Sequence, residues 1–425
     1  MPYAGMARRA AGAVIPDQMQ DLEMLHIHFG AGRLGLGLVV PFFQKTGSKT
    51  FILNRAVSGA KPTGSTALDP KRRNDLLREN PDKCYVIQEP GAQDARRRVV
   101  HYDGFFEYND EDVEEIIRPI VEGYPPGHDC VVVTASLLTP ENYRPVLQAL
   151  ASLAAMKKDR SGGPIFFVAC ENTFSAQEVL DHKNLCEMLP TELRGQVTCV
   201  AALVDRVCVG LEEAQEDSHP AVLVHAEEYG SLKLELTPET EPLATMLKGS
   251  EIEFTKHVAV EKQIKNWLLN GSHWLLALAA FQESGGDRDL KLNAFLQESP
   301  QRREYAESVM AEMREGVLAI LRRQPEYAEF VRDVDADAYL KGAAHAILER
   351  FMSNEDPISR ILARFQAPTS ESPASVQAFS QRLADRVDEP ISAYVEDKGM
   401  APPAATQSIQ SLVRLIASGT FINAA

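Results

Sequence analysis

Residues 25–35 read Leu25-His26-Ile27-His28-Phe29-Gly30-Ala31-Gly32-Arg33-Leu34-Gly35. The first five predict a short strand, and the apolar spacing from Leu34 onward predicts a helix that ends at Gly47. The glycines between them follow G-x-G-x-x-G, a pattern that permits a tight turn and brings backbone N–H groups close to a pyrophosphate. This context favours a dinucleotide-binding turn over a purely structural one. The predicted cofactor contacts are Gly30, Ala31, Gly32, Arg33, Leu34 and Gly35.

Polar residues follow three further apolar strands, predicted at 129–133, 164–170 and 197–203. They are Thr134-Ala135-Ser136, Glu171-Asn172 and Val204-Asp205-Arg206. In parallel sheets, ligands bind outside the carboxyl ends of the strands, so these residues are candidates for a binding site. Polar residues at strand ends are also common where an ordinary loop begins. Thr134, Ala135, Ser136 and Asn172 are predicted to contact the cofactor.

The end of the second strand bears on the choice of cofactor. This strand, at 50–53, is followed by Asn54 and Arg55. NAD-binding domains usually have an acidic residue here that binds the ribose hydroxyls. An amide followed by an arginine removes that charge and offers a cation to a 2′-phosphate, so Asn54 and Arg55 favour NADP over NAD. A surface arginine at a strand end is the alternative interpretation.

No metal site is predicted. His26 and His28 share one face of the first strand, but no Cys, Asp or Glu stands nearby at ligand spacing. The run at 333–337 has the acidic alternation of a calcium loop but lacks the glycine and the terminal glutamate that such a loop requires.

Composition and charge narrow the class of protein. The chain has 425 residues and a net charge of −16, which argues against nucleic acid or an anionic membrane as a partner. No run of 18 apolar residues occurs. The six cysteines form no C-x-x-C pair, which is typical of reduced thiols in a cytoplasmic protein. We expect a flexible tail at 1–23, a dinucleotide-binding domain at 24–255 and a helical substrate domain at 256–425.

The most unusual segment of the helical half is Lys265-Asn266-Trp267-Leu268-Leu269-Asn270-Gly271-Ser272-His273. At about 100° per residue, Lys265, Asn270 and His273 fall within an arc of roughly 140° on a helix that is otherwise apolar. A lysine that can lose its proton, beside an amide and an imidazole, suits chemistry on alcohols and carbonyls. A core helix whose polar groups find ordinary partners is the alternative.

Taken in order, these motifs resemble the polyol dehydrogenases, namely the mannitol dehydrogenases and mannitol-1-phosphate 5-dehydrogenases. The resemblance rests on Gly30 to Gly35, Cys170-Glu171-Asn172, Val204-Asp205-Arg206 and Lys265-x4-Asn270-x2-His273, and it extends to Glu349-Arg350-Phe351 and Asn354-x2-Pro357. It implies an α/β Rossmann domain followed by a mainly α-helical C-terminal domain. It also implies metal-independent hydride transfer between a nicotinamide and a sugar alcohol in a cleft between the domains.

The resemblance also implies roles for individual residues. Lys265 would take the alcohol proton, while Asn172 and Asn270 would stabilise the developing negative charge on the substrate oxygen. His273 would orient the substrate. The remaining substrate-binding candidates are Asp205, Lys262 and Arg350. Lys262 stands where some mannitol dehydrogenases have a glutamate. It could lower the pKa of Lys265, meet a substrate phosphate, or simply extend its ammonium group into solvent.

The expected partner is a small polyol or sugar phosphate, and the sequence leaves both monomer and homodimer open. Two alternatives remain at this point. A β-hydroxyacid or sugar-acid dehydrogenase would combine the same kind of domains with a Lys–Asn pair. A non-catalytic NADP-binding sensor would keep the glycine-rich turn, although the complete set of Lys265, Asn172 and Asn270 argues against it.

Overall fold

A computed structural model describes residues 24–57, 68–89, 96–110, 112–123, 130–160, 163–216, 219–363 and 383–417. These residues form two compact units, one ending at Ala259 and the other beginning at Val260. The boundary lies four residues after the predicted one between 255 and 256. The predicted tail at 1–23 lies outside the described residues.

The first unit is built on a six-stranded sheet whose order is β5-β2-β1-β6-β7-β8 and whose neighbouring strands are all parallel. The strands are β1 (Met24–Phe29), β2 (Lys49–Arg55), β5 (Gly104–Tyr108), β6 (Cys130–Ala135), β7 (Ile165–Ala169) and β8 (Val197–Val200). This order is that of a Rossmann sheet, in which the direction of strand addition reverses beside β1. The reversal lies between β1 and β6, so the loops after these two strands flank the position where such sheets bind ligands.

Two smaller sheets complete this unit. One has the order β10-β11-β3-β4, and the other has the order β13-β12-β9. Their strands are β3 (Cys84–Glu89), β4 (Arg96–His101), β9 (Ala202–Asp205), β10 (Cys208–Glu216), β11 (His219–Ala226), β12 (Ser231–Glu235) and β13 (Glu253–Thr255).

The single strand predicted at 197–203 is wrong. The structure has β8, which belongs to the parallel sheet, and then β9, which pairs antiparallel with β12. The apolar pattern is continuous because Val197 and Val204 are both buried, but they pack in different hydrophobic clusters. Burial alone therefore could not reveal that the chain changes sheets at this point.

The helices of the first unit cover the sheets. They are α1 (Val40–Gln44), α2 (Pro70–Glu79), α3 (Val113–Glu122), α4 (Arg144–Arg160), α5 (Ala176–Asp181), α6 (Thr191–Arg194) and α7 (Glu241–Met246), together with α8 (Val258–Ile264), which crosses the boundary. A π-helical segment, Gly35–Val39, runs directly into α1, so that residues 33–44 form one continuous helix.

In its described residues, the second unit is built from helices, with one isolated β-bridge between Lys291 and Pro357. Its helices are α9 (Ser272–Glu283), α10 (Leu292–Gln297), α11 (Pro300–Arg323), α12 (Ala328–Asp333), α13 (Ala336–Ser353), α14 (Ile358–Ala363), α15 (Glu389–Lys398) and α16 (Pro403–Ala417). The central helix is α9, where every residue from Ser272 to Phe281 is buried. A helix that is apolar on all sides is stable only when other helices surround it, which explains the position of α9. In the described part of the chain, no helix is long and apolar enough to cross a membrane.

Two π-helical segments pack against each other in this unit. Lys265–Gly271 joins α8 to α9, and Ala384–Asp388 runs into α15. A Cβ atom added at Gly271 would lie 2.3 Å from the carbonyl oxygen of Arg386. The backbones can approach this closely only because residue 271 has no side chain.

We therefore expect Gly271→Ala to lower the free energy of unfolding by about 1–3 kcal/mol, the usual range for overpacking a well-packed site. Urea denaturation followed by circular dichroism measures this change. Gly195→Ala is the matched control, because a Cβ at Gly195 would meet no atom within 4 Å. Equal stability of the two variants would contradict the packing described here.

Candidate functional site

The turn after β1 has the geometry that its glycines predict. Gly30 has φ +111°, and its N–H donates to the carbonyl of Leu53 at 2.8 Å. A Cβ atom at Gly30 would lie 2.7 Å from the carbonyl oxygen of Ser136, whereas one at Gly32 would meet nothing within 4 Å. Other protein atoms therefore cover the backbone at Gly30, whereas the space beside Gly32 is open. A ligand could reach the backbone of the turn from the side of Gly32.

Asn54 holds this turn from β2. Its Oδ1 accepts the N–H of Ala31 at 3.0 Å, and its Nδ2 donates to Asn74 Oδ1 at 2.8 Å. Asn74 in turn donates to the carbonyl of Arg55 and to Glu107 Oε1. The predicted contact of Asn54 with the cofactor was based on its position alone. The structure shows a different function, because the amide is buried and fixes the backbone of the glycine-rich turn. The contact of Asn54 with a cofactor stays a prediction.

Arg55 lies next to it on the surface. Its guanidinium pairs with Asp110 at 2.9 Å, and the two side chains are 51% and 46% exposed. An exposed pair of this kind contributes little to stability and exchanges readily with other partners. Arg55 can therefore leave Asp110 for another anion at small cost. Arg33, also exposed, donates to the carbonyl of Val209 at 3.0 Å.

Of the three residues predicted at the end of β6, only Ser136 has a side chain that reaches the edge of the sheet. Thr134 is fully buried, with its hydroxyl 2.8 Å from His26 Nε2 and 2.7 Å from His28 Nδ1. Ala135 is also fully buried. The Thr134 side chain lies inside β6, one residue before the strand ends, and contacts His26 and His28 of β1. The contact of Thr134 with a cofactor stays a prediction.

Glu171 shapes the loop that follows β6. Its Oε1 accepts the N–H groups of Leu137 and Leu138 at 2.5 and 2.8 Å and the hydroxyl of Tyr143 at 2.9 Å. Leu138 has φ +73° and is 81% exposed, an unusual conformation and environment for leucine. Sequence reasoning quoted Glu171 only as part of a motif. Its neighbour Asn172 is exposed at the carboxyl end of β7.

The Val204-Asp205-Arg206 motif lies inside the first unit. Asp205 ends β9 and is only 6% exposed. The Arg206 guanidinium, 2% exposed, pairs with Glu89 at 2.7 Å and donates to the carbonyls of Gly37 and Glu227. Arg206 thereby anchors the helix that carries the glycine-rich turn. Sequence reasoning missed this function because none of its partners is close to it in sequence.

In the second unit, two of the three candidate catalytic residues fall on the π-helical segment, and the third, His273, lies on α9. Lys265 is its first residue, and Asn270 precedes its last, Gly271. The predicted arc assumed α-helical rotation throughout and therefore needs correction: π-helical hydrogen bonds join residues five apart and bring Lys265 and Asn270 above one another. Trp267 and Leu268 are fully buried, as expected, but Lys265 is only partly buried, like Lys262.

His273 belongs to a buried network that continues to α14. Its ring stacks on Phe351 with centroids 4.5 Å apart, and its Nε2 lies 3.6 Å from Asp356 Oδ2. Arg360 Nε donates to Asp356 Oδ1 at 2.5 Å, and its Nη2 binds Oδ2. Arg350, the residue before Phe351, is 9% exposed. Asp356 stands within the quoted Asn354-x2-Pro357 motif, but spacing alone did not mark it as a partner of His273.

Together, the strand order and the glycine-rich turn define a Rossmann-type unit, which a helical unit follows in the chain. Within the described ranges, no three His, Cys, Asp or Glu side chains are grouped so as to hold a metal ion. No family model and no curated protein matches the chain.

Solved structures do match. Mannitol 2-dehydrogenase from Pseudomonas fluorescens, solved as a ternary complex with NAD and D-mannitol, has a TM-score of 0.56 at 14% identity, covering 92% of this chain and 79% of that one. A substrate-free D-sorbitol dehydrogenase has a TM-score of 0.56 at 11% identity, covering 96% of both chains. The chain therefore has the fold of these polyol dehydrogenases, which confirms the predicted fold class.

Because Asp356 is buried and binds Arg360 through both oxygens, we expect Asp356→Ala to cost about 3 kcal/mol, the lower end for removing one partner of a buried pair. Chemical denaturation measures this loss. The adjacent Glu355 is exposed, and Glu355→Ala should stay within about 0.5 kcal/mol of the parent. A similar effect of both substitutions would show that the network does not stabilise the unit.

Proposed function

We propose that this protein is an NAD(P)-dependent, metal-independent oxidoreductase that interconverts a secondary alcohol of a polyol or polyol phosphate and the corresponding ketose. The observation that carries the proposal is the π-helical segment Lys265–Gly271. Such segments are rare and occur frequently at functional sites. This one interrupts a helix that is otherwise α-helical from Val258 to Glu283, at the residues that match the Lys-x4-Asn motif.

The glycine-rich turn supports a dinucleotide as the cofactor. The open space at Gly32 leaves the backbone accessible, and the loops after β1 and β6 lie on both sides of the sheet reversal. The residues that would hold a pyrophosphate are those at the start of the helix, from Gly32 to Leu34, because the N–H of Ala31 already donates to Asn54. A bound nicotinamide would supply the acceptor for the hydride that leaves the carbinol carbon.

Residues of the second unit would accept the proton of the substrate hydroxyl and stabilise the charge left on its oxygen. Lys265 would accept it from the substrate hydroxyl, and Asn270 would donate a hydrogen bond to the same oxygen as negative charge develops there. His273, held by Phe351 and Asp356, would orient a neighbouring hydroxyl. We further propose that Lys262 and Arg350 bind the substrate, and that their positive charges would attract a phosphate group if the substrate has one. The roles predicted for Asn172 and Asp205 stay predictions.

A substrate panel tests the proposal. Absorbance of the reduced cofactor would be followed with polyols, ketoses and their phosphates, each with NAD and with NADP. Turnover of at least one polyol–ketose pair is expected. A preference for phosphorylated substrates would support the proposal that Lys262 and Arg350 bind a substrate phosphate. Cofactor binding without turnover of any member would favour the non-catalytic sensor instead.

Replacing Lys265 by Met should lower turnover by about 10²–10⁴-fold, because a positioned general base contributes that much. Methionine keeps most of the volume of the lysine stem, so the circular dichroism spectrum and cofactor affinity should be unchanged. Lys256→Met, at an exposed position on the amino-terminal side of α8, is the matched control. Parental turnover in the Lys265 variant would exclude this lysine as the base.

We also propose that NADP is preferred and that Arg55 binds its 2′-phosphate. Arg55→Ala should then reduce the preference for NADP over NAD by about 1–3 kcal/mol, the usual contribution of a hydrogen bond to a charged group. Kinetics with both cofactors measures this preference. Lys49, at the opposite end of β2 and similarly exposed at 54%, provides the control substitution Lys49→Ala. An unaltered preference after Arg55→Ala would mean that Arg55 is a surface residue only.

A further inference from the structure

A chain of buried hydrogen bonds runs beneath the glycine-rich turn and is not used by the proposed chemistry. Thr134 Oγ1 lies 2.8 Å from His26 Nε2 and 2.7 Å from His28 Nδ1. At one end, His26 Nδ1 lies 3.3 Å from Thr50 Oγ1. At the other, an imidazole N–H of His28 binds the carbonyl of Gly30. Both histidines and Thr134 are fully buried.

The contacts fix the direction of this chain. Since Nδ1 of His28 faces Thr134, the nitrogen that donates to Gly30 is Nε2, and Nδ1 must accept the Thr134 hydroxyl proton. Thr134 Oγ1 then accepts Nε2–H of His26, whose Nδ1 accepts from Thr50. Each group in the chain therefore donates its proton to the next one, from Thr50 at one end to the carbonyl of Gly30 at the other. Burial lowers the pKa of His28 to about 3 and that of His26 well below its ordinary value, so both rings stay neutral and keep this pattern.

The Nε2 atom of His28 lies where three backbone segments meet. It faces the carbonyl oxygen of Gly30, and these two atoms lie 2.3 and 2.5 Å from the position that a Cβ atom of Gly35 would occupy. It is also 3.4 Å from Ser136 Oγ in the loop after β6. Gly30 and Gly35 are the first and last glycines of G-x-G-x-x-G. His28 Nε2 thus determines the spacing between the turn at Gly30, the start of the helix at Gly35 and the loop at Ser136.

We propose that His28 is a positioning residue for the dinucleotide: its ring holds the Gly30 carbonyl, the start of the helix and the Ser136 loop in the arrangement that binds the pyrophosphate, without itself touching the cofactor. This inference rests on the proposed function, because it takes the ligand of the turn to be a nicotinamide dinucleotide. A neutral donor suits the position, because it satisfies the buried carbonyl without the cost of burying a charge.

His26 provides the comparison that separates positioning from packing. It is as fully buried as His28 and belongs to the same chain, but its ring stacks on Phe43 at 4.1 Å and its far nitrogen faces Thr50. Removing either imidazole leaves the Thr134 hydroxyl without one of its two partners. Only removal of the His28 ring also releases the carbonyl of Gly30.

The experiment compares His28→Leu, His26→Leu and His28→Gln in the full chain. Calorimetry measures the Kd of NAD and NADP, and urea denaturation measures stability. We expect both leucine variants to lose stability, whereas only His28→Leu should raise the Kd, by about tenfold for the loss of one buried hydrogen bond. His28→Gln, whose amide nitrogen can reach Gly30, should restore most of the affinity.

Where His28→Leu does not fold, His28→Asn replaces it, because its shorter amide can reach Thr134 but not Gly30. The inference then predicts weak binding for Asn and near-parental binding for Gln. Equal Kd values for His28→Leu and the parent, or equal weakening by His26→Leu, would overturn it while leaving the proposed function intact. If the unaltered protein bound neither dinucleotide, both the proposed function and this inference would fail.

Discussion

The backbone of Gly30 is the constraint on which the first unit depends. With φ at +111°, the chain leaves β1 in a direction that residues with a side chain rarely adopt, and the carbonyl of Gly30 turns inward onto His28. Asn54 fixes the next peptide through the N–H of Ala31. Arg206 anchors the following helix at the carbonyl of Gly37. Three buried polar side chains from different strands and loops therefore hold about one turn of backbone.

This arrangement explains why so many polar groups are buried beneath one loop. An unpaired buried donor or acceptor costs about 1–3 kcal/mol, so each of these side chains is tolerated only because its partners are in place. His26, Thr134 and His28 satisfy one another, and Arg206 is balanced by Glu89. Such networks are rigid when they are complete, and a binding loop needs rigidity if it is to be preorganised for its ligand.

In the first unit, buried polar side chains hold the glycine-rich turn in position. In the second unit, an irregular helical backbone positions the candidate residues. Its π-helical segment places Lys265 and Asn270 at the start and end of one wide turn, and Gly271 lets that turn lie directly against Arg386. One helical turn later, His273 is held between Phe351 and Asp356. The candidate groups thus stand on packed helices and not on loops, which keeps their relative positions fixed.

The sequence predicted the elements whose signals are local. The β1–turn–helix unit, the buried strands β6 and β7 and the apolar character of the helix around Trp267 follow from spacing alone. What it could not predict depends on distant partners or on backbone geometry. The change of sheet between Val200 and Ala202, the burial of Thr134 and the π-helical segment at Lys265 leave no mark in hydrophobic periodicity. Asp356 and Glu171 appeared in motifs, but their contacts arise only from the fold.

A crystal structure of the protein grown with NADP or NAD would test directly whether the Gly30 turn binds a dinucleotide in this arrangement. We expect a pyrophosphate within hydrogen-bonding distance of backbone N–H groups between Gly32 and Leu34, on the open side of Gly32, with the N–H of Ala31 still bound to Asn54 and the Gly30 carbonyl still bound to His28. A dinucleotide bound elsewhere on the chain, or a Gly30 peptide that has rotated away from His28 to accommodate the phosphates, would contradict this expectation.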